Sequence, residues 1–127
     1  MKVLILATDH CMVSAIYGVL DVFSTANYCI KRRYGGGVDN LDCQIVTIDN
    51  QKVTAYNGIE IKPTQLLDTK DAPDVIVVSS SVEVVIDCCG DDITIANRDS
   101  IKKWLVRSKE QGTLITSFCT GAFLLAS

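Results

Sequence analysis

The chain has 127 residues, 48% of them hydrophobic and 21% charged, with a formal net charge of −3. That is the make-up of one soluble globular domain with a real core, small for a doubly wound sheet, and it excludes a disordered segment or a nucleic-acid-coating protein. The only basic run, Lys31-Arg32-Arg33, falls at the end of a predicted helix, where it complements the helix dipole rather than forming a DNA-binding face.

Residues 2–7 are continuously apolar after Lys2, as expected of a strand buried on both faces. The run is too short to span a bilayer and lacks the later features of a cleavable signal, so a cytoplasmic protein with no membrane association is expected. A helix is predicted from Ser14 to about Tyr34. Its Ile16, Val19, Leu20, Phe23, Ala26 and Ile30 recur at three- and four-residue intervals, and Gly35-Gly36-Gly37 ends it. Residues 41–48 read as a second strand. Residues 53–61 read as a hairpin with Asn57-Gly58 in a type I′ turn, adding antiparallel structure at an edge. Residues 73–78 form the next buried strand and run into Ser79-Ser80-Ser81. A helix capped by Asp99 or Ser100 then turns Ile101, Trp104, Leu105 and Ser108 inward and closes at Gly112. Finally, the β-branched run 113–118 breaks at Cys119 and resumes through Thr120-Gly121-Ala122 as a helix. Three buried strands separated by helices imply right-handed crossovers and a parallel sheet in a three-layer sandwich.

Ligands of such sheets bind beyond the carboxyl ends of the strands. Residues 8–13, the turn 79–81 and the Cys119 elbow meet there. The thiol has two readings. It is either lifted over the sheet edge beside the N–H groups that open the next helix, with a depressed pKa and a reactive sulfur, or it is a small buried hydrophobe. Cys11, Cys29, Cys43, Cys88, Cys89 and Cys119 are expected to be reduced. With no C-x-x-C pair and His10 the sole histidine, no metal site can be assembled, and no cofactor is expected. The vicinal pair Cys88-Cys89, beside Gly90-Asp91-Asp92, reads as a loop, with a redox role as the alternative. His10 is either one half of a dyad with Cys119 or an exposed, structurally hydrogen-bonded side chain. Asp21 reads as exposed or capping, Trp104 as packing on the sheet, and Phe118 and Phe123 as core.

Two blocks carry a resemblance. The segment Gly18-Val-Leu-Asp21-Val22-Phe23-Ser24-Thr25-Ala26-Asn27 and the segment Ser117-Phe118-Cys119-Thr120-Gly121-Ala122-Phe123, in this order of elements, resemble the ThiJ/PfpI branch of the class I glutamine amidotransferase-like superfamily. More narrowly, they resemble the amino-terminal domain of GlxA-type members of the AraC transcription regulators. The resemblance covers residues 1–127 and implies a flavodoxin-like α/β/α sandwich with a mostly parallel sheet and an antiparallel hairpin, incomplete at its carboxyl terminus. It also implies a homodimer, with DNA bound only through a helix-turn-helix region absent from this chain.

The departures from that pattern bear on chemistry. Enzymatic members pair the elbow cysteine with an acidic residue at the start of helix one, and the matching position here is Ala15. Asp9 is the best substitute for that carboxylate. The family's Gly-Gly after the third central strand, which stabilises an oxyanion, is matched by Ser79-Ser80, whose Cβ atoms hinder close approach. The superfamily's base histidine usually follows the elbow, and none stands between Cys119 and Ser127. The apolar helix stub at residues 122–127 is expected to be covered by further chain or by a partner. The favoured expectation is a non-catalytic sensing and dimerisation domain, binding a small-molecule effector through Asp9, His10, Ser79, Ser80, Cys119, Thr120 and Gly121, with the Thr120 and Gly121 N–H groups suited to a carboxylate. The alternative is a hydrolase, amidase or glyoxalase-like enzyme with Cys119 as nucleophile. A redox-sensing or structural domain is the third class.

Overall fold

Val3, Leu4, Ile5 and Leu6 are all buried in strand β1 (Lys2–Leu6). A strand this apolar needs cover on both faces and a neighbour at both edges. The computed structural model describes residues 1–35, 40–82 and 97–126, and in it β1 lies between β2 (Asp42–Val46) and β5 (Val75–Val78), with β6 (Leu114–Ser117) beyond β5. Every pairing in this sheet is parallel, and Val46, Leu6, Val78 and Ser117 stand in one register row that marks the common carboxyl edge. Short strands β3 (Val53–Thr54) and β4 (Glu60–Ile61) form a separate antiparallel pair.

Because successive side chains alternate across a strand, the sheet builds two cores. Val3, Ile5, Ala7, Ile45 and Val77 face helix α1 (Val13–Tyr34), which packs Ile16, Val19, Leu20 and Phe23 onto them. Leu4, Leu6, Val46, Ile76 and Val78 face helix α2 (Arg98–Glu110), which contributes Ile101, Trp104 and Leu105. The short helix α3 (Gly121–Ala126) follows β6, with Leu124 against the α2-side core. This is the expected three-layer α/β/α sandwich, and the order β2-β1-β5-β6 is flavodoxin-like. By length and composition alone α1 could cross a membrane; here it covers one face of the sheet.

Side-chain clamps fix the connections. Asn27 on α1 and the backbone of Leu41 exchange two hydrogen bonds of 2.7 Å, tying the helix to the approach to β2. Asn50 does the same for Leu67, accepting from its N–H at 2.6 Å and donating to its carbonyl at 3.1 Å. Along the outer edge of β2, the Ile45 N–H donates to Thr64 Oγ1 and the Thr64 N–H donates to the Ile45 carbonyl, both at 2.9 Å.

Several expectations need correction. The hairpin does not extend the main sheet; it packs over the loop that follows β1. Its turn is not type I′, which needs positive φ at both central residues. Only Gly58, at φ +83°, is left-handed, with its N–H donating to the Ala55 carbonyl at 2.9 Å and the Ala55 N–H donating to Ile59 at 2.8 Å, the arrangement of a turn with a glycine bulge. Helix α2 starts after Asn97, at φ +63°, rather than at a side-chain cap from Asp99 or Ser100. Helix α1 starts at Val13, and Gly35 closes it by donating to the Lys31 carbonyl at 3.0 Å. Phe118 and Phe123 are 46% and 47% exposed rather than core. Gly36, Gly37, Cys88, Cys89 and Ser127 lie outside the described residues.

Trp104 is the largest fully buried side chain, yet its indole N–H has no partner among the described residues. Truncation should therefore cost volume and not a hydrogen bond. Denaturant titration should show Trp104→Ala losing about 3–5 kcal/mol, whereas Trp104→Phe, which leaves a smaller cavity and also removes the unsatisfied N–H, should lose clearly less than Trp104→Ala.

Candidate functional site at the carboxyl edge of the sheet

The chain leaves β1 toward β2 on one side and returns to β5 on the other, so the topological switch point, where open α/β sheets place their ligands, lies between the ends of β1 and β5. Beyond the register row the strands stay bonded for one more residue. The Ser79 N–H donates to Leu6 at 3.3 Å and the Phe118 N–H donates to Val78 at 2.9 Å. The loop after β1 and the turn after β5 are then stitched together: the Met12 N–H donates to the Ser80 carbonyl at 3.0 Å, the Val82 N–H donates to the His10 carbonyl at 3.1 Å, and Cys11 and Ser81 form an antiparallel bridge.

The elbow joins this cluster through hydroxyls. Thr120 Oγ1 donates to the Ser81 carbonyl at 3.0 Å, which uses its only proton. At 2.7 Å from Ser80 Oγ it must therefore accept, so Ser80 is the donor of that pair. The resulting relay, Ser80 to Thr120 to Ser81, fastens the elbow to the turn after β5. Cys119 sits immediately before it, exposed, at φ +51°. Such a backbone costs a non-glycine residue roughly 1–2 kcal/mol, and the relay on one side and the Phe118 bond on the other hold it there. The sulfur is thus exposed and not the small buried hydrophobe of the second reading.

Gly121 explains why the elbow can lie so close to β5. A Cβ at this position would stand 2.5 Å from the Val78 carbonyl oxygen and 2.7 Å from that of Ser79. Its N–H donates to Phe118 at 3.1 Å, so this group is committed within the elbow and does not serve as the expected carboxylate anchor. The Asp9 carboxylate accepts from the Thr54 N–H at 2.8 Å through Oδ1. That bond, with His10 N–H to Thr54 at 2.8 Å and Tyr56 N–H to Cys11 at 3.1 Å, straps the hairpin over the loop. Asp9 is thus an orienting residue for the loop. His10 is exposed, at φ +57°, and Ala15 is buried.

Ser79, Ser80 and Ser81 are all buried, and the hydroxyls of Ser79 and Ser81 have no hydrogen-bond partner among the described residues. Ser81 lies in the turn expected at this edge but outside the expected ligand set, and its carbonyl and hydroxyl both belong to the cluster. Thr54 was not among the expected residues, because a long-range strap leaves no local pattern. Among the described residues no group of three metal-ligating side chains exists.

No protein-family model and no curated protein matches the sequence. Solved structures do. A transcriptional regulator protein from Vibrio parahaemolyticus is 19% identical with a TM-score of 0.73, over 99% of this chain and 60% of that one. An AraC family transcriptional regulator from Pseudomonas putida is 17% identical with a TM-score of 0.70, over 98% of this chain and 68% of that one. The fold is that of the ThiJ/PfpI-like proteins. A DJ-1 superfamily protein from Agrobacterium tumefaciens, 17% identical with a TM-score of 0.58, covers 98% of this chain and 56% of its own. The chain thus spans about 60% of the length of the Vibrio parahaemolyticus protein, and the sequence resemblance agrees with the three-dimensional one.

Two outcomes follow from this geometry. Gly121→Ala should destabilise the protein by about 2 kcal/mol or more, because the obstructing atoms are backbone, and a thermal melt against Gly18→Ala, which meets open space, isolates the steric cost. Burial, reinforced by the charge of Asp9, pushes the Cys11 thiol up from 9.0 to about 11. Burial and the neighbouring Asp42 likewise push Cys43 to about 11. Each folded-state pKa lies above its unfolded value, so this part of the stability is complete below pH 9 and is lost as pH rises toward 11. Chemical denaturation across that range should show the loss, reduced in Cys11→Ala.

Proposed function

We propose that this domain is a non-catalytic sensing module of a cytoplasmic transcription regulator, in which a small effector occupies the carboxyl-edge cluster around Cys119 and shifts a dimer or conformational equilibrium. The observation that carries the reading is the combination of an exposed elbow residue with buried hydroxyls at Ser79 and Ser81 that have no partner among the described residues. Such hydroxyls can donate or accept, and they suit a polar ligand that brings its own partners. Ala15 supports a binding role over catalysis, since it places an apolar methyl where the family's enzymes carry a carboxylate. The regulators from Vibrio parahaemolyticus and Pseudomonas putida supply the larger setting: an effector-bound state of this domain would bias DNA-binding elements elsewhere in the polypeptide.

A second reading is favoured by one observation, the φ of Cys119. A left-handed, exposed residue between a parallel strand and a helix is the geometry of a nucleophile elbow. In that case the Cys119 sulfur attacks the carbonyl carbon of an ester or amide, the C–O or C–N bond breaks as the thiol proton passes to the departing alcohol or amine, and water hydrolyses the resulting thioester to the acid and free thiol.

Calorimetric titration with a panel of small carboxylates and amides, paired with assays for their hydrolysis, separates the two. The sensing reading expects saturable binding, little changed by Cys119→Ala, without turnover. Turnover that Cys119→Ala abolishes would establish the enzyme. Thr120→Val, which breaks the hydroxyl relay while keeping the side-chain shape, should cost about 1–2 kcal/mol of stability and weaken binding through the displaced elbow.

A further inference from the structure

Of the five asparagines in the chain, only Asn57 is followed by glycine. An asparagine amide carbon is an electrophile within reach of the next residue's backbone nitrogen, and glycine lets that nitrogen approach because no Cβ stands in the way. The turn sets this pair apart in further ways. Asn57 Oδ1 accepts from the Ile59 N–H at 3.3 Å, which draws electron density away from the amide carbon. Asn57 Nδ2, the group that would leave, makes no hydrogen bond among the described residues, and the space beside Gly58 is open. The other asparagines are held. Asn27 and Asn50 have both ends of their amides bonded, to Leu41 and Leu67. Asn97 donates from its amide to Asp49, and Asn40 precedes Leu41, whose N–H is held by Asn27 at 2.7 Å. One bond opposes attack at Asn57, that of the Gly58 N–H to the Ala55 carbonyl at 2.9 Å. It sits at the tip of a pair of two-residue strands, the kind of contact that opens locally while the core stays folded.

We propose that Asn57-Gly58 is a self-modification site, at which the protein converts its own asparagine to isoaspartate and thereby loosens the hairpin strap over residues 9–11. The Gly58 nitrogen loses its proton to hydroxide and attacks Asn57 Cγ. The Cγ–Nδ2 bond breaks, and ammonia leaves with a proton taken from water. Water then opens the cyclic imide at either carbonyl, giving aspartate or isoaspartate; no oxidant, reductant or cofactor is consumed. Isoaspartate carries the main chain through the former side-chain carbon, so the turn gains a backbone atom and a negative charge. The Ala55 N–H bond to Ile59, 2.8 Å, closes the turn across that added atom, and the Tyr56 N–H bond to Cys11, 3.1 Å, lies one residue before it. The bonds of Thr54 to Asp9 and His10 follow along the same strand. The reaction is intramolecular and needs no partner, so the inference stands or falls independently of the sensing function.

The test incubates the purified protein in heavy-oxygen water at neutral and at mildly alkaline pH. Peptide mass spectrometry with electron-transfer fragmentation then locates the label and tells isoaspartate from aspartate. The heavy oxygen excludes product formed before the incubation. The expected result is that solvent oxygen enters at residue 57 ahead of every other asparagine, mostly as isoaspartate, and faster at the higher pH because the attacking nitrogen must be deprotonated. In the aged protein, hydrogen exchange at the Thr54, Tyr56 and His10 N–H groups should be about fivefold or more faster, the equivalent of one hydrogen bond lost. The Asn57→Ser variant, which lacks the amide and keeps a polar turn residue, should show neither the label nor the faster exchange after the same incubation, with a thermal melt confirming its fold. Labelling at residue 57 no faster than at Asn40 overturns the proposal. So does aspartate without isoaspartate, the mark of direct amide hydrolysis, and so does a rate that ignores pH. Exchange unchanged by ageing, or accelerated equally in the Asn57→Ser variant, overturns the link to the strap.

Discussion

Everything in this molecule is arranged around β1. Its four consecutive buried residues can be satisfied only by a strand on each side and a helical layer on each face, so β2, β5, α1 and α2 are held in place by one stretch of apolar sequence. The parallel register then ends all strands at one level. That is why a loop, a turn and an elbow from distant parts of the chain meet at residues 8–13, 79–81 and 118–121. The candidate site is a by-product of strand alignment, refined by short-range polar contacts.

Those refinements follow a common logic. Each strained or unusual backbone residue in the region has bonds that fix it. His10 is held by the hairpin through its N–H and by Val82 through its carbonyl. Cys119 is held by the Phe118 bond before it and the Thr120 relay after it. Gly121 solves a different problem, the close passage of a helix start past two carbonyl oxygens. The bonds nearest the exposed sulfur are made by hydroxyls, those of Ser80 and Thr120.

Much of this was legible in the residues. The unbroken apolar runs at β1 and β5, the spacing of Ile101, Trp104, Leu105 and Ser108, and the break at Cys119-Thr120-Gly121 each follow from periodicity or from the demands of a tight turn. Less legible was anything set by contacts distant in sequence. Asn57-Gly58 is the strongest local signal for a type I′ turn, yet Ala55 pairs with Ile59 and shifts the glycine into a bulge. Asp9 looks like a free carboxylate until Thr54, 45 residues away, donates to it. Phe118 and Phe123 are apolar enough for a core, but burial depends on what packs beside β6, and no local pattern reports that.

On the β2 side of the main sheet, Thr64 occupies the peptide groups of Ile45 through both its hydroxyl and its main chain. A strand arriving at the β2 edge would have to displace Thr64 from both peptide groups of Ile45, so this one threonine protects that edge against the edge-to-edge pairing through which exposed strands aggregate.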